Sequence, residues 1–255
     1  MRGLKGKNVI ITGAGGGIGT ALAKRFAEEG CTLGLFDMNK AAAEAVAGQV
    51  HSAGGKAFVY DVDISDYARV TETVAAFEKD SGRIDVLVNN AGWDKFAIFM
   101  QTDPELWDKV IAINLRGPIN MHHAVLKFMT QRKGGKIVSI SSDAGRVGSS
   151  GEAVYSACKG GIIAFTKTMA REMARYQINV NCVCPGPTDT PLFKSFLGEG
   201  EAGQKVYDAL KGSIPFRRVG QPEDVPGMIA FLASDDANFI TGQVISVSGG
   251  LTMHG

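Results

Sequence analysis

The chain has 255 residues, of which 45% are hydrophobic and 21% charged, a composition typical of a soluble globular protein with a substantial core. Its 27 basic and 26 acidic side chains are intermixed and leave a formal net charge of +1, which gives no reason to expect nucleic acid or a membrane surface as a partner. The sequence has no signal-peptide segment and no run of about 18 apolar residues, so we expect no membrane span and a cytoplasmic location.

Seven short runs rich in β-branched residues alternate with longer amphipathic segments, as expected of repeated βαβ units. The predicted strands are NVIIT, TLGLFD, AFVYD, IDVLVN, KIVSIS, INVNCV and QVISVS. Most are continuously apolar, which is typical of parallel strands covered on both faces. Helix-length segments lie at 18–29, 40–53, 66–80, 103–131, 152–175 and 222–234. We therefore predict an α/β fold with one doubly wound, seven-stranded parallel sheet and helices on both faces.

No linker or internal repeat divides the chain, so residues 1–255 are predicted to form one domain. Asn39 and Asp103 stand where helix N-caps are expected, and Pro104 fits a first helical position. The segment 187–213 contains no predicted strand and follows the sixth one. A segment of this length is either a surface loop or a lid over a site, and its position favours a substrate lid.

The four cysteines are scattered and show no CxxC spacing. Buried free thiols in a reducing compartment are therefore expected for Cys31, Cys158, Cys182 and Cys184. Cys158 is adjacent to Lys159 but has no histidine nearby in sequence, and we interpret it as structural. No metal site is predicted.

A glycine-rich turn joins the first predicted strand to the first amphipathic helix in VIITGAGGGIGTALAKRF. Glycines let a backbone approach a phosphate closely, and a helix N-terminus offers free N–H groups and the positive end of a dipole. The TGxxxGxG spacing differs from the common GxGxxG fingerprint, so the turn alone is a weak indication. The candidate cofactor-binding residues in this turn are Gly13, Gly16, Gly17, Ile18 and Gly19.

Asp37 ends the second predicted strand, 18 residues after Gly19. A carboxylate there can accept hydrogen bonds from both adenosine ribose hydroxyls, and it would repel a 2′-phosphate. The glycine turn carries no basic residue, and Met38 follows the acid. These features favour NAD over NADP; the alternative is that Asp37 only caps the end of the strand.

Two further strand ends are expected at the same edge of the sheet. Asp63 and Ile64 follow the third strand and suit an adenine amino group and ring face, although Asp61 is a competing candidate. The fourth strand leads into NNAG, whose small residues suit the close approach of a dinucleotide. The candidates there are Asn90, Ala91 and Gly92.

Tyr155 and Lys159 lie one helical turn apart in YSACK. In most helices such a pair is only a packed ring beside a solvated ammonium. Alternatively, the ammonium and a positive nicotinamide ring could lower the tyrosine pKa from about 10, so that the phenol exchanges a proton near neutral pH. Ser142 lies 13 residues earlier, after the fifth strand, and could reach the same substrate oxygen or be a simple turn serine.

Together, TGAGGGIG at 12–19, NNAG at 89–92, Asn114, Ser142, Tyr155, Lys159 and PGPTDTPL at 185–192 resemble the short-chain dehydrogenase/reductase family. The resemblance covers nearly the whole chain. It implies a Rossmann fold, hydride transfer between NAD and a secondary alcohol, and a homotetramer built through 103–131, 152–175 and the C-terminal segment. The implied catalytic residues are Asn114, Ser142, Tyr155 and Lys159, with Asn114 holding a water that links Lys159 to solvent. Tyr155 and Lys159 are also implied cofactor contacts, together with Pro185, Gly186, Thr188 and Thr190 on the nicotinamide side.

Substrate contacts are expected after NNAG, before the helix that carries Tyr155, and in 187–213. The candidates are Trp93, Ser142, Arg146, Val147, Glu152, Tyr155 and Leu192, although the apolar ones could equally belong to the core. The stretches NNAGWD, RVGSSGEAVY, CPGPTDT and GQVISVSGGLTM are particularly similar to hydroxyacyl-CoA dehydrogenases of alicyclic and aromatic acid degradation. That similarity implies an acyl-CoA substrate and NAD-dependent oxidation of a cyclic 2-hydroxyacyl-CoA, such as 2-hydroxycyclohexane-1-carboxyl-CoA, to the ketone.

Two alternatives remain open. The first is another enzyme of the same family, such as an NADPH-dependent 3-oxoacyl-carrier-protein reductase, against which Asp37 and Gly16 count. The second is a catalytically silent NAD-binding scaffold subunit, against which the presence of Tyr155 and Lys159 counts.

Overall fold

A seven-stranded parallel sheet forms the centre of the protein. The computed structural model describes residues 1–197 and 200–253. The strands are β1 (Asn8–Thr12), β2 (Thr32–Asp37), β3 (Lys56–Asp61), β4 (Val86–Asn89), β5 (Gly135–Ile140), β6 (Ile178–Pro185) and β7 (Val244–Val247). They lie in the order β3-β2-β1-β4-β5-β6-β7, and every neighbouring pair is parallel. The predicted fold class is confirmed, and each strand lies where the sequence indicated.

Helices connect the strands and cover the sheet. They are α1 (Gly17–Glu28), α2 (Lys40–Ser52), α3 (Tyr67–Ser81), α4 (Pro104–Ile111), α5 (Gly117–Arg132), α6 (Ala144–Val147), α7 (Ala153–Met173), α8 (Pro191–Leu197), α9 (Gly200–Ser213) and α10 (Pro226–Ala233). The side chain of Asn39 accepts a hydrogen bond from the Ala42 N–H, and that of Asp103 accepts one from the Leu106 N–H. Both predicted N-caps are thus confirmed. Within the described part of the chain, no helix has the length and apolar character needed to cross a bilayer.

Three of the predicted segments differ from the structure. The single helix expected over 103–131 consists of α4 and α5, joined by a π-helical turn at Ala112–Arg116 that contains Asn114. The helix expected over 222–234 is a 3₁₀ turn at Pro222–Asp224 followed by α10, which begins at Pro226 because proline fits a first helical position. The segment 187–213 carries α8 and α9 within its described residues.

The two faces of the sheet carry separate apolar layers. On one face, α1, α2 and α10 contribute side chains such as Phe26, Val46 and Ile229. On the other, α3 and α5 contribute side chains such as Phe77 and Met121. Burial on both sides explains the continuously apolar strands, because successive side chains of a strand face opposite layers. All four cysteines are buried and free, as predicted.

The order of the strands defines where a ligand can enter. The chain moves outward from β1 to β3, then returns and continues from β4 on the other side of β1. At such a reversal the connections leave the carboxyl ends of the strands in opposite directions and open a crevice between them. The turn after β1, the end of β2 and the loop after β4 border this crevice.

Two glycines on neighbouring elements, β2 and α2, test how tightly the side chains pack around the sheet. A Cβ on Gly34 of β2 would lie 2.9 Å from the buried ring of Phe77, whereas a Cβ on Gly48 of α2 would meet nothing within 4 Å. Gly34→Ala should therefore lower the free energy of unfolding by about 1–3 kcal/mol through overpacking. Gly48→Ala, the matched control, should raise it by about 1 kcal/mol because alanine is the better helix former. Urea unfolding measures both, and similar effects of the two substitutions would contradict this account.

Candidate active site

The turn after β1 is shaped by close backbone approach. Gly13 adopts a left-handed conformation with φ +62, and a Cβ at this position would lie 2.8 Å from the Cα of Ala91. A Cβ on Gly19 would lie 2.1 Å from the carbonyl oxygen of Gly13. Gly16 is the N-cap of α1, and no side chain caps the helix there. The first N–H groups of α1 therefore remain available to an anion, as a pyrophosphate requires.

A cleft of about 770 Å³ runs along the carboxyl ends of β1 to β4. It brings together most of the predicted cofactor residues, namely Gly13, Gly16, Gly17, Ile18, Gly19, Asp37, Asp63, Ile64, Asn90, Ala91, Gly92 and Thr190. Asp63 lines the cleft, whereas Asp61 is exposed at the end of β3, in register with Asp37. The cleft thus favours Asp63 over Asp61. A bare helix N-terminus, a glycine turn and an acid at the end of β2 fit a dinucleotide.

Asp37 has two contacts that bear on its role. One carboxylate oxygen accepts a hydrogen bond from the Gly15 N–H at 2.8 Å, and the other accepts one from the Asn39 N–H at 2.8 Å. Asp37 therefore caps backbone N–H groups at the end of β2 and in the glycine turn, which agrees with the interpretation of this residue as a cap. It also lines the cleft, where a cofactor is expected. The two interpretations are compatible, since a carboxylate has about four acceptor positions.

A buried hydroxyl that the sequence analysis overlooked connects the turns after β1 and β4. The Oγ1 of Thr12 accepts hydrogen bonds from the N–H groups of Asn90 and Ala91, each at 3.0 Å. In return the Asn90 amide donates to the carbonyl oxygens of Thr12 at 2.9 Å and Gly13 at 3.0 Å. Thr12 is fully buried at the end of β1. A polar residue at the end of an apolar strand was the signal that could have identified it.

Ser142, Tyr155 and Lys159 converge at the carboxyl end of β5. The Lys159 ammonium is buried, donates a hydrogen bond to the Ile140 carbonyl oxygen at 3.0 Å and lies 5.4 Å from the centre of the Tyr155 ring. The Ser142 hydroxyl is a hydrogen-bond partner of the Tyr155 phenol. It also accepts a hydrogen bond from the Ala144 N–H at 3.1 Å. The first two turns of α7 and the turn after β5 thus bring the three predicted side chains together.

Burial, rather than the neighbouring Lys159 ammonium, sets the direction in which the pKa of Tyr155 is shifted. It raises the pKa of the Tyr155 phenol above its ordinary value, and the carboxylates of Glu152 and Asp94 act in the same direction. The hydrogen bond with Ser142 acts the other way. Burial also lowers the pKa of Lys159 to about 8. The lowered tyrosine pKa expected from the sequence is therefore not found in the protein alone, because the loss of water outweighs the favourable contacts.

The Asn114 side chain connects the loop after β4 to the π-helical turn by hydrogen bonds. Its amide donates to the carbonyl oxygens of Trp93 at 2.6 Å and Val110 at 2.9 Å, and its Oδ1 accepts from the Trp93 N–H at 3.2 Å. A Cβ on Gly92 would lie 3.1 Å from this Oδ1 and 3.4 Å from the Lys159 Nζ. Asn114 and Lys159 therefore meet at Gly92, next to the cleft. The water that Asn114 was expected to hold stays a prediction.

The chain after β6 folds back over the glycine turn. The Pro185 carbonyl accepts a hydrogen bond from the Asp143 N–H, and the Gly186 N–H donates to the Val247 carbonyl oxygen, both at 3.1 Å. Thr188 is buried, and its hydroxyl donates to the Gly186 carbonyl oxygen at 2.9 Å. The methyl group of Thr190 would lie 3.1 Å from a Cβ on Gly17. Of the predicted residues in this segment, Thr190 lines the cleft and Thr188 braces the backbone behind it.

The predicted substrate residues lie in different surroundings. Trp93 and Leu192 line the cleft, and the Lys109 ammonium lies over the Trp93 ring, 4.0 Å from its centre. Val147 is 62% exposed at the end of α6. Arg146 donates a hydrogen bond to the Ser246 hydroxyl of β7 at 2.9 Å. Trp93 and Leu192 thus border the cleft, whereas Arg146 is held toward β7, and the substrate contacts stay predictions.

Glu152 lines a second, smaller cavity together with Tyr155 and an acid that was not predicted, Asp94. Asp94 is 6% exposed, and burial raises the pKa of its carboxyl group to about 6. Burial likewise raises the pKa of Glu152. An acid directly after NNAGW, at an edge where strand ends converge, was the available signal for Asp94.

Comparison with known proteins identifies relatives over almost the whole chain. A family model described as enoyl-(acyl carrier protein) reductase matches residues 13–252. The chain is 38% identical to 3-oxoacyl-[acyl-carrier-protein] reductase FabG of Thermotoga maritima over 250 residues, 98% of this chain and 99% of that protein. It is 36% identical to nodulation protein G of Azospirillum brasilense over 246 residues, 96% of this chain and 98% of that protein.

Two solved structures are similar in sequence and in fold. Levodione reductase is 33% identical with a TM-score of 0.93, and the match covers 96% of this chain and 97% of that one. NAD⁺-bound xylitol dehydrogenase is 34% identical with a TM-score of 0.89, and the match covers 98% of this chain and 100% of that one.

Proposed function

As the chain belongs to the short-chain dehydrogenase/reductase family, we propose that it oxidises a cyclic β-hydroxyacyl-CoA, such as 2-hydroxycyclohexane-1-carboxyl-CoA, to the ketone with NAD as hydride acceptor. The family is one of oxidoreductases that act on alcohol and ketone groups with a nicotinamide cofactor, and the chain is such an oxidoreductase. The observation that carries the proposal is the convergence of Ser142, Tyr155 and Lys159 beside the cleft formed by the glycine turn.

The choice of NAD is supported by the adenosine end of the cleft. The Asp37 carboxylate would accept hydrogen bonds from the ribose hydroxyls and repel a 2′-phosphate, and no basic residue of the glycine turn would offset that repulsion. The glycine turn and the N-terminus of α1 would hold the pyrophosphate, Asp63 and Ile64 the adenine, and Lys159 the nicotinamide ribose. When bound, the oxidised nicotinamide supplies a hydride acceptor and a positive charge.

The alcohol loses a hydride from carbon and a proton from oxygen, and the chain's own side chains handle the proton. Ser142 would hold the substrate oxygen by a hydrogen bond, and the phenolate of Tyr155 would take the proton at its Oη. Because burial raises the pKa of Tyr155, the phenol is protonated in the protein alone, and nearby positive charge is needed to favour the phenolate. The Lys159 ammonium is one such charge, and Asn114 lies where it could pass the proton on through water.

The substrate is proposed from the stretches NNAGWD, RVGSSGEAVY, CPGPTDT and GQVISVSGGLTM. In 2-hydroxycyclohexane-1-carboxyl-CoA the hydroxyl is on the carbon β to the thioester carbonyl, and the product is 2-oxocyclohexane-1-carboxyl-CoA. Trp93 and Leu192 offer apolar surface for the ring. An acyl-CoA is thus the small molecule we propose as partner, and the segment 187–213 is proposed as its lid.

A second candidate function is reduction of a 3-oxoacyl carrier-protein thioester. The relative at 38% identity is named for that reaction. The two substrates share one chemical feature, an oxygen on the carbon β to a thioester. They differ in the carrier, which is CoA or a protein, and in the presence of a ring. The reductase alternative is NADPH-dependent, and the Asp37 carboxylate would repel the 2′-phosphate of NADPH.

We also propose a cytoplasmic homotetramer assembled through 103–131, 152–175 and the C-terminal segment. Exposed apolar side chains near and on α4, with Met100 88% and Ile111 41% exposed, support an interface there. Sedimentation velocity measures the state, and a monomer at working concentration would contradict the proposal.

The role of Tyr155 is tested by Tyr155→Phe, which removes only the phenol oxygen. Turnover should fall by about a hundredfold or more, because the general acid–base group is lost. Affinity for NAD, measured by calorimetry, should change little, since the glycine turn and Asp37 are intact. Circular dichroism controls for folding. Normal turnover in this variant would end the proposed role.

The substrate is tested by a panel of NAD-coupled oxidations. It compares cyclic and linear 3-hydroxyacyl-CoAs with the corresponding free acids and with cyclohexanols, each with NAD and with NADP. We expect the highest kcat/KM for the cyclic thioester with NAD. A preference for the linear 3-hydroxyacyl-CoAs with NADP would instead favour the second candidate, and NAD binding without any turnover would revive the scaffold alternative.

A further inference from the structure

Two acidic side chains that form no ion pair with a described residue lie beside Tyr155. Asp94 lies in the loop after β4, and Glu152 lies immediately before α7. Both line one small cavity, and Tyr155 lines it as well. We propose that Asp94 and Glu152 select the substrate by charge, rejecting an alcohol that carries a free carboxylate beside the hydroxyl and admitting its uncharged acyl derivative. The inference rests on the proposed function only in placing the alcohol next to Tyr155.

The surroundings of Asp94 do not indicate a structural acid. Its Oδ2 is buried and has no hydrogen-bond partner among the described residues. Buried polar atoms in folded proteins nearly always have a partner, so an oxygen without one indicates a ligand or a cost kept for function. The carboxylate accepts a hydrogen bond from the backbone of Lys95, whose side chain is exposed to solvent. That single contact leaves the other oxygen without a partner beside a cavity of about 20 Å³, which has room for about one water, so the carboxylate acts through its charge on a ligand bound next to Tyr155.

In the part of the chain that the structure describes, neither Asp94 nor Glu152 forms an ion pair. The ion pairs formed within residues 1–197 and 200–253 involve other carboxylates. The cation that acts on Asp94 is Lys159, whose own ammonium is directed to the Ile140 carbonyl oxygen. Lys95 also lines the cavity, but its side chain is exposed to solvent, so the charges shielded from water there are those of Asp94 and the half-buried Glu152.

Carboxylates in water-poor surroundings discriminate between ionised and neutral ligands that bind beside them. With a pKa raised to about 6, Asp94 is ionised at mildly alkaline pH. A carboxylate on the ring carbon next to the alcohol would bring a further negative charge to the side of Tyr155 where these acids lie, and such repulsion weakens binding by about tenfold or more. A thioester, ester or amide at the same carbon brings no charge. The two acids would thus distinguish a thioester, ester or amide from a free carboxylate on the carbon next to the alcohol. This discrimination needs no contact with the CoA part of the substrate.

The test uses two ring compounds of nearly the same shape, cyclohexanecarboxylate and cyclohexanecarboxamide. Their affinities for the enzyme–NADH complex are measured by calorimetry at about pH 8, where carboxylates are ionised, and no turnover is needed. The amide should bind about tenfold more tightly to the wild type. In Asp94→Asn and in Glu152→Gln, binding of the carboxylate should tighten by about threefold or more while that of the amide stays the same.

Glu105→Gln is the matched control, because Glu105 is an exposed acid in the first turn of α4 that does not line the cavity. It should leave the ratio of the two affinities unchanged. Equal affinities in the wild type, an unchanged ratio in both cavity variants, or failure of the amide to bind would each overturn the inference. If one variant does not fold, the wild-type ratio and the other variant decide.

The outcome is separable from the proposed function. If the cyclic hydroxyacyl-CoA is not oxidised but the affinities shift as described, the proposed substrate fails and the charge selection stands. If the thioester is oxidised while the two ring compounds bind equally well in all variants, the proposed function stands and the charge selection fails.

Discussion

The common direction of all seven strands is the constraint on which the site depends. A parallel sheet sends every strand-to-helix connection to the same edge, so the glycine turn, Asp37, Asn90 and Ser142 all end up there regardless of their separation in sequence. The reversal of strand order at β1 then separates the connections into two groups. The crevice between them is lined by turns, and turns tolerate the residues that binding and catalysis need.

At this edge of the sheet, burial disfavours the charged forms of Tyr155 and of the ionisable side chains near it. Burial raises the pKa of Tyr155 and of Asp94 and lowers that of Lys159, so each charged form is disfavoured where it would be used. Replacing such groups by apolar ones commonly stabilises a protein, and their presence indicates a function. It also means that the state of the phenol depends on which charged molecule is bound beside it.

The sequence indicated the sheet and most of the site for simple reasons. Continuously apolar runs identify strands buried on both faces, and residues at the ends of such runs must lie at one edge, which is why Asp37 and Asn90 could be chosen. Ser142 also follows a strand, but the family resemblance was needed to choose it among the neighbouring serines. The π-helical turn could not be predicted, because it accompanies hydrogen bonds between Asn114 and Trp93, which are distant in sequence. The direction of the Tyr155 pKa likewise depends on how deeply the phenol is buried, a quantity that the sequence does not contain.

The hydroxyl of Thr12 has a consequence for motion. By binding the N–H groups of both Asn90 and Ala91, it fixes the turn after β1 to the loop after β4, and the Asn90 amide completes the link from the other side. The two walls of the crevice therefore behave as one rigid body at this point. A molecule held by the glycine turn is thereby held at a set distance from the loop that carries Trp93 and Asp94. The alignment of the two reactants is thus decided at the end of β1, before either of them arrives.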